Sequence, residues 1–119
     1  MTMHTLTDAQ PIPVGKARIY FFRSAQLWGA PLQPQILLDG SPLGRAVAAR
    51  FFYKDVAPGS HEVTVRTVVT RRLRLDMEAG ETIYVKFSVG FGWLIGWFRI
   101  EAIDPDVARE EMQRISALT

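Results

Sequence analysis

Apolar and polar positions alternate with period two along most of this chain, and the clearest stretches fall in its second half. Val63, Val65, Thr67 and Val69 alternate with Glu62, Thr64 and Arg66; Leu73, Leu75 and Met77 alternate with Arg74, Asp76 and Glu78. Ile83, Val85, Phe87 and Val89 then alternate with Thr82, Tyr84, Lys86 and Ser88. Period-two alternation predicts strands with one face on a core and one in water. Earlier, Ala17–Arg23 is rich in aromatic and branched residues with bulk on both faces, which predicts a central strand. Gln35–Leu38 predicts a short strand, Asp39-Gly40 a tight hairpin turn, and Phe51-Phe52-Tyr53 another strand before a Pro58-Gly59 corner. Ala79-Gly80-Glu81 predicts the next turn, and Phe98, Ile100 and Ala102 alternate with Arg99 and Glu101 in a last strand.

The chain then changes period. Asp104-Pro105-Asp106 has an N-cap carboxylate, a proline at the first helical position and negative charge at the positive end of the dipole. A helix over 105–117 follows, with Ala108, Met112 and Ile115 on one face to dock on the sheets. The sum is an all-β, Ig-like antiparallel sandwich of about seven strands with a C-terminal helix. A polar tail over 1–15 precedes a single domain over 16–119. Charge chooses a register for the longest hairpin: with Thr70-Arg71-Arg72 as its turn, Val69 faces Leu73 and Arg66 faces Asp76. That pairing is favoured by a few tenths to ~1 kcal/mol over a slip that sets Arg66 against Arg74.

Composition narrows the chemistry. With 119 residues and 48% of them hydrophobic, the chain suits one domain with a core of its own. Cysteine is absent, so disulfides and thiolate metal sites are excluded. The net charge of +2 is too small to argue for nucleic acid. No stretch approaches the ~18 apolar residues of a membrane span. The first fifteen residues lack the pattern of a signal peptide. A removed signal would place the protein on the periplasmic side of the envelope; a start at Met1 would make it cytoplasmic.

The segments Lys16–Arg23, Leu38-Asp39-Gly40 with Leu43-Gly44, Pro58–Val63, and Ala79-Gly80-Glu81 with Tyr84-Val85-Lys86 occur in the order seen in domain-of-unknown-function family 2846. Over roughly residues 16–103 the chain resembles that family, which looks like a relative of the PEGA-type domains, small bacterial β-sandwiches. The resemblance implies an envelope protein, often a lipoprotein, and carries over no catalytic residues. The lipobox cysteine of such lipoproteins is missing from this sequence.

Candidate chemistry is sparse. His61 opens a strand beside a turn, where its ring can bond loop backbone, and no serine or cysteine nucleophile with an orienting acid is signalled around it. No cofactor or metal is expected. Arg66, Arg71, Arg72 and Arg74 cluster around one hairpin, either as a contact for an anionic partner or as a solvated edge that resists aggregation. Alternation breaks down over Gly90–Phe98, where Trp93, Leu94, Ile95, Trp97 and Phe98 follow one another closely. That stretch suits core beneath the helix, a subunit interface, or shallow insertion into a membrane surface; Trp28 and its loop are a second candidate contact. The expectation is a non-enzymatic binding or scaffold module of the envelope, acting through a protein partner or a second copy at Trp93–Phe98. A cytoplasmic ligand-binding protein or hydrolase with a pocket near His61 and Tyr53 is the alternative.

Overall fold

The computed structural model describes residues 10–25, 30–67, 69–89 and 98–118. Eight strands are present among them: β1 (Ala17–Arg23), β2 (Gln35–Leu38), β3 (Ser41–Arg45), β4 (Arg50–Val56), β5 (Gly59–Arg66), β6 (Thr70–Met77), β7 (Thr82–Val89) and β8 (Phe98–Ile103). A helix, α1 (Pro105–Leu118), follows. Two four-stranded sheets form, ordered β4-β1-β7-β8 and β3-β2-β5-β6. The sandwich with a terminal helix is as the periodicity predicts.

β1 is central because neither of its faces tolerates water: all seven residues are buried. Ile19 and Phe21 point between the sheets, where Phe21 lies 5.1 Å from the Phe52 ring and 6.2 Å from that of Phe87. Tyr20 and Phe22 point the other way, into a second cluster with Phe51, Tyr84, and Ala108, Met112 and Ile115 of α1. The helix face predicted from spacing is therefore the face that docks, and it makes a third layer. Asp104 caps it, its Oδ1 accepting from the backbone N–H groups of Asp106 at 2.9 Å and Val107 at 3.2 Å.

Three features depart from the sequence reading. One seam is not antiparallel: β1 runs parallel to β7, with Tyr20 beside Tyr84. Next, β7 is not half wet, because α1 covers its polar face: Tyr84 is buried and stacks on Tyr20 of the neighbouring strand at 5.2 Å, and Lys86 bonds Glu111 of the helix at 2.8 Å. Last, the β5–β6 hairpin turns at 67–69, so Thr70-Arg71-Arg72 is strand, Val63 faces Leu73, and Arg66 faces Thr70 instead of Asp76. Both registers keep the alternating apolar face inward. The observed one sets Val63 and Leu73 together over the core and still pairs Glu62 with Arg74, so a charge term of tenths of a kcal/mol does not decide.

The registers also sort the sandwich into two ends. β4 passes to β5 through two residues, and that end carries the 39–40 and 78–81 turns. At the other end β1, β3 and β5 finish at Arg23, Arg45 and Arg66, β4 begins at Arg50, and β6 and β8 begin at Thr70 and Phe98.

Candidate functional site

At the first end the 39–40 turn is built by sequence. Asp39 and Gly40 both have positive φ, +52° and +83°, as a two-residue hairpin of this twist requires. That conformation aims the Asp39 carboxylate at β5, where Oδ1 accepts from the Glu62 backbone N–H at 2.8 Å and Oδ2 meets His61 Nδ1 at 2.6 Å. His61 Nε2 lies 2.6 Å from the carbonyl of Ala57. A carbonyl and a carboxylate only accept, so the ring fills both bonds as the imidazolium. Burial alone pushes His61 down, and the bonds to Asp39 and Ala57 with the Asp39 charge outweigh it, raising the pKa. Burial likewise pushes Asp39 up, but the His61 and Glu62 bonds leave it lowered.

The trio is a clip between the β2–β3 turn and the β4–β5 corner. It resembles an orienting acid with its histidine, yet the nitrogen a base would use is bound to backbone. Tyr53 is elsewhere, packed against Tyr20 at 5.5 Å in the cluster under α1. The structure does not bring His61 and Tyr53 into one pocket.

The opposite end is rich in arginine. Arg71 and Arg72 of β6 meet Phe98, Arg99 and Ile100 of β8 where the edge strands of the two sheets approach, and together they line an open cleft of about 390 Å³. Arg72 is 3.8 Å from Glu62 and Arg99 is 3.9 Å from Glu101, both beyond hydrogen-bond length. Behind the cleft Arg23 is 2% exposed; it donates to the carbonyls of Leu32 and Ala46 and lies 5.0 Å over the Phe98 ring. Burial lowers its pKa from a very high starting value, so it remains a cation. Arg45 and Arg50 donate to the carbonyls of Gln33 and Ala49. The connections that leave this end, 24–34, 46–49, 67–69 and 90–97, contain no aspartate or glutamate.

The sequence-predicted residues are distributed as follows. Arg71 and Arg72 share the cleft, Arg66 sits at the same end, and Arg74 lies further down the exposed face of β6 opposite Glu62. Arg99, Arg45 and Arg50 are members that the sequence reading missed, because strands distant in the chain bring them together. Phe98 belongs to the core, fully buried, and lines the cleft only from behind. Trp28, Trp93, Leu94, Ile95 and Trp97 lie outside the described residues, so contact or self-association through them stands on the sequence alone. Among the described residues no group of three histidine, aspartate or glutamate side chains could hold a metal ion, and no helix is long and apolar enough to cross a membrane.

Residues 13–95 match the family described as "Protein of unknown function (DUF2846)". The chain belongs to that family. It is also similar to an "Uncharacterized protein" of Haemophilus influenzae, 19% identical over 103 residues, which are 86% of this chain and 61% of the relative. The chain thus spans about three fifths of that relative's length. No solved structure matches the chain. The DUF2846 match covers the 39–40 turn, the His61 clip and the β6 arginines, and it ends before β8 contributes Arg99.

Proposed function

We propose that this domain is a non-enzymatic binding module that receives an anionic group of its partner at the arginine end, in the envelope setting that the family resemblance implies. One observation carries the reading: an end whose connecting segments contain no acidic residue, at which Arg71, Arg72 and Arg99 from two different sheets line one open cleft, with Glu62 and Glu101 only loosely paired to Arg72 and Arg99. Guanidinium groups present paired N–H donors that fit the oxygens of carboxylates and phosphates. The buried Arg23 adds a positive charge behind the cleft, in a low-dielectric interior where its field is poorly screened. The other polar constellation, at His61, has both ring nitrogens committed to the fold, which favours binding over hydrolysis.

The test is an NMR titration of the labelled protein with inorganic pyrophosphate. Backbone amides of residues 70–72 and 98–100 shift in a saturable way, and the shifts are lost in the Arg72→Gln/Arg99→Gln protein while its remaining spectrum is retained. Absence of shifts in those two segments, or equal shifts in the double variant, overturns the reading.

A further inference from the structure

We infer that the arginine end is a docking surface for an anionic membrane, its guanidinium groups taking the phosphates of several lipid headgroups at once. The inference rests on the anion reading above and names the partner that the distribution of charge fits.

Extent comes first. The cleft accommodates one anionic group, but the charge does not stop there. Arg45 lies on the outer strand of one sheet and Arg50 on the outer strand of the other, both on the side away from the cleft, and Arg66 lies between. With strands ~4.8 Å apart and sheets ~10 Å apart, these side chains spread across the whole end of the sandwich. A small ligand would engage one corner of this array. A surface that carries many phosphates meets all of it.

Apolar character at the same end points the same way. Val69, in the 67–69 turn between Arg66 and Arg71, is 39% exposed and is among the large hydrophobic residues that the fold leaves in water. Cationic residues flanking apolar loop positions are the pattern of proteins that rest in a lipid interface, where anionic lipids attract the cations and apolar residues enter the headgroup region. Single-stranded nucleic acid would call for exposed rings as stacking platforms. Among the described residues the aromatic rings at the strand centres, Tyr20, Phe21, Tyr84 and Phe87, are all buried.

Charge also fixes the direction. Asp39, Asp76, Glu78, Glu81 and Asp104 lie toward the opposite end, where Lys16, Lys54 and His61 offset part of their charge, so an anionic surface favours the arginine end. The sandwich then stands on the membrane with its strands pointing at the lipid.

The experiment is co-sedimentation with phosphatidylcholine vesicles, with and without phosphatidylglycerol. Binding is expected only with phosphatidylglycerol, and added salt weakens it steeply. Each exposed arginine removed lowers the partition coefficient about fivefold. The Arg66→Gln/Arg72→Gln/Arg99→Gln protein therefore falls about a hundredfold, and Val69→Ser by a smaller factor. Lys16→Gln/Lys54→Gln, toward the opposite end, binds as wild type; circular dichroism confirms that each variant is folded. Equal binding to neutral vesicles, or equal losses in the arginine and lysine variants, overturns the inference. Pyrophosphate shifts without vesicle binding overturn the membrane and leave the anion reading standing; failure of both removes both. Displacement from vesicles by a single-stranded oligonucleotide that binds the same arginines more tightly makes nucleic acid the partner and overturns the inference.

Discussion

Arg18 and Arg23 occupy the two ends of one strand, are nearly equally buried, and are held in opposite ways. Arg18 is 4% exposed and grips Asp55 with two bonds of 2.7 and 3.1 Å, while its guanidinium lies 3.9 Å over the Tyr53 ring and reaches the carbonyl of Gln10. The Asp55 bond raises its pKa, with burial opposing and the Asp55 charge assisting. Arg23 is bonded to the carbonyls of Leu32 and Ala46, which satisfy donors without cancelling charge. One end of β1 is held by a carboxylate, and at the other the guanidinium is held by backbone carbonyls of two loop segments. Depth of burial alone therefore says little about a charge's purpose; the kind of acceptor separates the two.

The largest effect that could break this contrast comes from removing each arginine. Arg18→Met leaves Asp55, whose side chain is 25% exposed, without its partner, and should lower stability by ~3 kcal/mol in urea unfolding. Adding Asp55→Leu should recover most of that. Arg23→Met strands two carbonyls and should lower stability by ~2 kcal/mol; with backbone acceptors, no second side-chain change should recover it. Similar rescue at both positions would erase the distinction.

A smaller effect separates the ends by pH. His61 titrates above its usual 6.5 in the folded protein, so its contribution is full below that value and is lost as pH rises through the raised folded value. Asp39 titrates below its usual 3.8, so its share is present above that value and is lost as pH falls through the lowered one. Wild type should lose ~1 kcal/mol between mildly acidic and mildly alkaline solution, measured as a fall in urea midpoint. His61→Gln should flatten that slope, and Arg99→Gln should retain it.

The smallest effect sharpens the contrast from the binding side. Glu62 and Arg72 are 3.8 Å apart and both substantially exposed, so Glu62→Gln should change stability by only ~0.2–0.5 kcal/mol. It removes a carboxylate beside the cleft, and pyrophosphate should bind more tightly to this variant in the same NMR titration. Weaker binding would place Glu62 among the groups that order the cleft.

Local chemistry was legible in the sequence; assembly across strands was not. Asp39-Gly40, the Asp104 cap and the Ala108–Met112–Ile115 face are each decided within a few residues, and each is found where the pattern puts it. The β5–β6 register was misread because two registers share the same inward face and the charge difference between them is small. The cover over Tyr84 and Lys86 was missed because polar positions on a strand do not announce a helix that arrives twenty residues later. Half of the arginine hairpin was visible, but its partner Arg99 and the buried Arg23 come from strands far away in the chain. The one warning for Arg23 is its place at the end of a strand too apolar for a wet face.

The parallel seam between β1 and β7 also dictates an order of events. β1, the earliest of the described strands in the sequence, sits in the middle of its sheet, and one of its two neighbours is completed only at residue 89. Until then a ribosome-bound chain can pair β1 with β4 but presents its other edge, a row of unpaired backbone N–H and C=O groups, to whatever is near. Contacts so distant in sequence form slowly. The nascent protein thus passes through a period in which a chaperone, or a neighbouring chain, competes with its own later half for that edge.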